Sequence, residues 1–186
     1  MPNVTINILK MEGIGKRDWF QRGEETWRDG SKHQYCIFEF NNIIPEPKTE
    51  EECEDRYNLN IVPDKYVGTP EDKPWFNWYR WRNHNWGTKW DGFECKIIND
   101  NAIKFKTAWS PADGVMQELS RTYYKDRKLL LFYNDEYDGN WYVNEYYNGD
   151  ITTIGDLGEQ IPRYPDNDDY SNILEDLEKE YLKIRR

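Results

Sequence analysis

Histidine is scarce: His33 and His84 are the two in 186 residues. Neither falls in an HExxH string or in a Cys/His cluster with zinc spacing, so neither a metal nor a cofactor is expected. No GxSxG elbow is present. Gly13-Ile14-Gly15-Lys16 follows an apolar stretch but lacks the rest of a phosphate-loop spacing, and reads as a strand-to-helix turn. Cysteine is limited to Cys36, Cys53 and Cys95, an odd number without a CxxC pair. That excludes a disulfide framework and suits reduced thiols in a cytoplasmic protein. No apolar run approaches the roughly 20 residues of a membrane helix. The opening MPNVTINILK has no apolar block of the secretory kind. The expectation is a cytoplasmic chain with no membrane partner and no enzymatic centre.

Large rings are abundant instead. Aromatics make up 16% of the chain, and five of its nine tryptophans fall within residues 74–91, PWFNWYRWRNHNWGTKWD. One Trp or Tyr buries about 150–250 Å², so a core built from few, large side chains is expected. The net charge is −10. It is uneven: residues 132–182 hold 14 acids against Arg163 and Lys179, a sum of −12, which leaves +2 elsewhere. Such a segment repels phosphates and suits basic protein surfaces.

Val4, Ile6 and Ile8 alternate with Thr5 and Asn7, as in a half-buried strand. Trp19, Phe20, Gly23 and Trp27 share a helix face, which predicts a helix over residues 16–29. A strand over 34–40 would complete a βαβ unit. Pro45 and Pro47 make a rigid exit loop, and Thr49 with Glu52 forms a capping box for a short acidic helix reaching Tyr57. Residues 58–73 read as an irregular excursion. A helix over 74–86 would place Trp75, Trp78, Tyr79 and Arg82 on one face and turn Arg80 and Trp81 away from it. Gly87 would stop it.

Residues 89–98 and 102–109 read as a hairpin about Asn99-Asp100-Asn101. Ser110 and Pro111 open a helix with Ala112, Val115, Met116, Leu119 and Tyr123 as its apolar stripe. Strands are expected at 128–133 and 141–147, and residues 151–169 read as a linker. Ser171 would cap a last helix whose apolar face is Ile173, Leu174, Leu177, Tyr181 and Ile184. Docking of that helix on the domain is expected.

Four strings carry a resemblance: residues 40–47 (FNNIIPEP), 75–91 (containing NWGTKWD), 105–111 (FKTAWSP) and 129–136 (LLLFYNDE). Their order resembles the YubB-type ferredoxin-like domain of phage and plasmid proteins, over most of residues 4–149. The resemblance implies an α+β ferredoxin-like antiparallel sheet with helices packed on one face, to which the C-terminal helix is added. It also implies a mobile-element origin, hence the cytoplasm of a bacterial host cell. It brings no known activity and no catalytic residue. The domain is expected over residues 1–150, with an insertion at about 45–73. The acidic linker and helix of 151–186 lie outside the recognised pattern.

Two functional readings follow. The first is a non-enzymatic accessory protein that binds a basic host protein, as a counter-defence inhibitor would, through Asp135, Glu136, Asp138, Asp166, Asp168, Asp169 and Glu175. The second is a binder of single-stranded nucleic acid or a nucleotide through Arg80, Trp81, Arg82 and Lys89, with bases stacked on the indole. The RNP aromatic signature of the RNA-binding sheet is missing.

Overall fold

The computed structural model describes residues 3–52, 76–137, 139–158, 160–165 and 169–185. Among the described residues there are eight strands: β1 (Val4–Lys10), β2 (Phe20–Thr26), β3 (Lys32–Phe38), β4 (Phe93–Asn99), β5 (Ala102–Ala108), β6 (Leu129–Asn134), β7 (Trp141–Tyr147) and β8 (Asp150–Gly158). The helices are α1 (Trp78–Asn85), α2 (Asp113–Glu118) and α3 (Ser171–Ile184). A helix also opens at residue 50, where Thr49 Oγ1 accepts the Glu52 N–H at 3.2 Å and Glu52 accepts the Lys48 N–H at 2.7 Å. Its expected continuation to Tyr57, together with Trp75 and most of the expected insertion, lies outside the described residues.

Six strands form one sheet in the order β4-β5-β1-β6-β7-β8, every neighbouring pair antiparallel. β1 lies between β5 and β6 and its five inner residues are all buried, Ile6 and Ile8 toward one face and Leu9 toward the other. The set β1, α1, β4, β5, α2, β6 is the split βαβ arrangement of a ferredoxin-like α+β domain. β7 and β8 extend it past β6.

Each face of the sheet has its own core. On one, Leu9, Ile103, Phe105, Leu129 and Leu131 meet Trp81 and Trp86 of the α1 region and Val115, Met116 and Leu119 of the α2 region. On the other, Ile6, Ile8, Phe132, Trp141 and Val143 meet Ile173, Leu174, Leu177 and Tyr181 of α3. The C-terminal helix therefore docks, as its amphipathic pattern predicts. Lys10 pairs with Glu178, and buried Glu145 on β7 accepts from Tyr181 Oη at 2.6 Å. Lys128 and Arg185 lie on the same carboxylate at 2.8 and 3.1 Å.

Several expected elements take another form. Residues 16–29 are not a helix: they lead into β2, which pairs with β3 in a separate hairpin. The aromatic spacing fits a helix face, but pairing along seven residues with β3 prevails over that weak local preference. Trp19 ends buried, while Trp27 is 53% exposed and stacks on His33 at 3.6 Å. Residues 150–158 are not linker but strand β8, paired along β7 with two register shifts. Their Gly and Asp content hides an edge strand, which needs only one ladder of hydrogen bonds.

Ser110 does not cap α2; its hydroxyl donates to Gly87 O at 2.5 Å. After α2 the chain widens into a π-turn over Leu119–Tyr123, closed by Tyr124 N–H to Leu119 O at 2.9 Å. The extra residue advances the phase, so Tyr124 is buried and Tyr123, expected inside, is 42% exposed. At α3 the Ser171 hydroxyl does not cap; the Asp169 carboxylate accepts the Ser171 N–H at 3.0 Å. Ile184 is exposed, one turn past the buried stripe.

Two outcomes test this arrangement. Leu177→Ala, at a wholly buried α3 position, is expected to cost about 2–4 kcal/mol in urea unfolding. Burial alone would push the Glu145 carboxyl up. The hydrogen bonds from Lys128 and Tyr181 and the Lys128 and Arg185 charges outweigh it and hold the group below its ordinary value. A depressed folded value contributes stability that is present above about pH 4.3 and lost as pH falls through the folded value. The stability gap between the unmodified chain and Glu145→Gln should therefore narrow as pH falls below about 4.3 and close once the folded carboxyl is protonated.

Candidate binding surface

The tryptophan-rich stretch divides between core and surface according to helical phase. Asn77 caps α1 by accepting the Arg80 N–H at 3.0 Å. From there Trp81 points inward and is 0% exposed, Trp78 and Tyr79 are half-buried, and Arg80 is exposed. The expected partition is thus reversed for Trp81: it packs on Phe76 and Trp86 and offers no ring to a base. Trp86 is equally buried and donates its indole N–H to Ile44 O at 3.0 Å.

The chain then crosses the start of α2 at very short range. Gly87 has φ +83°, and a Cβ there would stand 3.0 Å from Pro111 O and Asp113 N. A Cβ at Gly114 would meet Asn85 O at 1.9 Å. Only glycine admits this approach. Buried Thr88 ties the crossing to β5 by donating to Ala108 O at 3.0 Å and accepting the Ala108 N–H at 3.2 Å.

This crossing brings Lys89 and Trp90 against Trp109. Lys89 Nζ lies 3.9 Å from the ring centre of Trp90 and 4.1 Å from that of Trp109. Such cation–π contacts contribute about 0.5–1 kcal/mol each at exposed sites. Trp90 and Trp109 are 37% and 42% exposed, and Tyr79 meets Trp109 edge-on at 6.1 Å. Trp109 carries φ +70°, a left-handed backbone that a bulky side chain rarely adopts. Its N–H bonds Asn3 O at 2.9 Å.

Beside this array lies an open hollow of about 380 Å³ lined by Ile37, Arg82, Trp90, Asp91 and Phe93. Arg82 is not an exposed phosphate ligand: it donates to Glu46 Oε1 at 2.5 Å and stacks over Trp78 and Trp86 at 5.2 and 4.8 Å. Asp91 accepts the Phe40 N–H at 2.7 Å, and burial holds its carboxyl above the ordinary value.

The expected acidic residues fall in two places. Asp135 and Glu136 follow β6, where Asp135 accepts the Tyr137 N–H and Glu136 accepts the Val4 N–H at 2.6 Å. Asp169 and Glu175 belong to the start of α3, where Asp169 lies within the field of Lys96. Asp138, Asp166 and Asp168 lie outside the described residues. Val4 pairs with Ala108 on one side, and Asn134 lies beside Ile6 on the other. Trp109 and Asp135-Glu136 therefore share one rim of the sheet, about 10 Å apart across two strand spacings.

Among the described residues no group of His, Cys, Asp and Glu is arranged to hold a metal ion. A buried acidic contact exists where Asp113 accepts from Tyr146 and Asn144. Burial pushes Asp113 and Tyr146 up, and the contact fastens the first turn of α2 to β7.

Sheet order and the split βαβ unit, with α1 and α2 on one face, define a ferredoxin-like α+β domain, to whose other face α3 is added. More particularly, residues 85–178 match the family described as the ferredoxin-like domain in Api92-like protein, and the chain belongs to that family. The match starts at the last residue of α1 and ends within α3, so it takes in the glycine crossing, Lys89, Trp90 and Trp109. No curated protein and no solved structure matches the chain.

The left-handed backbone at Trp109 can be isolated from its ring by comparing two truncations. Both Trp109→Gly and Trp109→Ala remove the indole, but only glycine accepts φ +70° without cost. The glycine variant is expected to be more stable by about 1 kcal/mol in thermal unfolding. Equal stabilities would mean the backbone is relaxed.

Proposed function

We propose that this domain is a non-enzymatic accessory protein of a mobile element, of the YubB type, that docks a basic host protein. The rim carrying Trp109, Lys89 and Trp90 is the contact surface. One observation carries the reading: exposed indoles beside an apolar hollow share a rim with the carboxylates of Asp135 and Glu136. Trp, Tyr and Arg anchors seated near small hollows are what protein contacts use, and flanking carboxylates steer a cationic partner.

The same geometry weighs against single-stranded nucleic acid. Of the four residues expected to hold it, Trp81 is core and Arg82 is paired with Glu46. Arg80 and Lys89 are left near a rim whose carboxylates repel phosphate. Inhibition of a host defence nuclease fits this reading, since nucleases expose basic surfaces.

The test uses host lysate and the tagged chain with mass-spectrometric cross-linking. A specific protein cross-linked within reach of Lys89 supports the reading if Trp109→Ala reduces its capture at least tenfold and Asp135→Asn with Glu136→Gln makes capture less salt-sensitive. Capture indifferent to all three substitutions sinks it. Tryptophan emission is expected to stay flat on titration with oligonucleotides at low salt, and salt-reversible quenching would replace this reading with the nucleic-acid one.

A further inference from the structure

The β2–β3 hairpin is joined to the main sheet by an isolated antiparallel bridge, where Phe38 and Gly92 exchange backbone hydrogen bonds at 2.7 and 3.1 Å. That bridge runs β3 alongside β4. Counting outward from it, Ile37 faces Phe93 and Cys36 faces Glu94. Glu94, however, has φ +46°, and the register of β4 on β5 shifts between Phe93 and Lys96. This bulge takes up one residue and brings the next, Cys95, to Cys36. The two thiols lie close enough for each to shift the other's ionisation, and the Cys95 thiol donates to Gly92 O at 3.3 Å.

The two sulfurs differ in environment. Cys36 is half-exposed and directly opposite Arg22 on β2. The Cys95 hydrogen bond and the Arg22 guanidinium bring its thiol down to about 6, against burial. Cys95 packs against the core, and burial pushes its thiol up, with the Cys36 charge adding to the effect and Lys104 opposing it. Glu94 is exposed and paired with Lys106. An accessible thiolate beside a protonated second thiol is the arrangement of redox-responsive cysteines.

We propose that Cys36 and Cys95 form a modification site for low-molecular-weight disulfides of the glutathione type, with Cys36 as attacking and Cys95 as resolving sulfur. The Cys36 thiolate attacks one sulfur of glutathione disulfide. That S–S bond breaks, a Cys36–glutathione bond forms, and one glutathione thiolate leaves. Cys95 then gives its proton to the departed thiolate and attacks the Cys36 sulfur, which expels the second glutathione as a thiolate that takes from water the proton Cys36 released on ionising. Two protein thiols are oxidised to one disulfide, and glutathione disulfide is reduced to two thiols. The new bond fastens the hairpin to the edge of the main sheet, behind the hollow walled by Ile37 and Phe93. The inference stands apart from the docking reading.

The test uses the full chain with Cys53→Ser, so that the third cysteine does not exchange. Native alkylation of Cys36 should level off with a midpoint near pH 6, and Arg22→Gln should move that midpoint upward. Exposure to glutathione disulfide at pH 7 should give a peptide linked through Cys36 and Cys95. Adding Cys95→Ser should stop the reaction at glutathione on Cys36. An alkylation midpoint near 8.5, the ordinary thiol value, overturns the proposal, as does glutathione appearing on Cys95 first. Both decisive measurements are made without substituting either cysteine of the pair, so a misfolded variant does not blur the outcome.

Discussion

The structure depends on how closely two backbones pass at the junction of α1 and α2. With side chains at Gly87 or Gly114 the end of α1 would stand off from the first turn of α2. Trp86 would then lose its seat between helix and sheet, because its depth is set by that separation. The same contact fixes which residues leave the core. Thr88 is pinned to Ala108 on both its donor and acceptor sides, so Lys89 and Trp90 must emerge next to the end of β5. Core and surface here have a single geometric origin.

Much of the sheet is legible from alternation alone. In residues 102–108 Ile103 and Phe105 alternate with Lys104 and Lys106 because the first pair enters the core beneath α1 and α2 while the lysines lie on the opposite side of the strand, and α3 shows its stripe because one face meets the sheet. The β2–β3 hairpin is hidden because Trp19, Phe20, Gly23 and Trp27 fit a helical period by spacing, while the pairing that decides the matter lies across the turn, with Phe20 opposite Phe38 and Gly23 opposite Tyr35. Strand β8 is hidden for the opposite reason. It is mostly exposed, so no apolar period is imposed on it.

The surface site was half legible. Lys89 stands out within the aromatic stretch. Trp81 stands beside two arginines and suggests a patch, but its phase after the Asn77 cap sends it inward. Trp109 belongs to the site only through the chain crossing, and no linear spacing announces it. By phase Trp109 continues Ile103, Phe105 and Thr107 into the packed side of the strand, and the left-handed backbone at φ +70° is what turns it out.

The two margins of the sheet are finished differently. β4 is shielded where the hairpin bridges it at Gly92, whereas β8 closes the other side with no further strand among the described residues. A bare strand margin invites a second chain to add itself by backbone hydrogen bonding. Here the two register shifts against β7, the φ of +142° at Gly155 and the carboxylates of Asp150 and Asp156 break the even row of donors and acceptors that such stacking requires. The irregularity of this last strand thus guards the molecule against templated self-association.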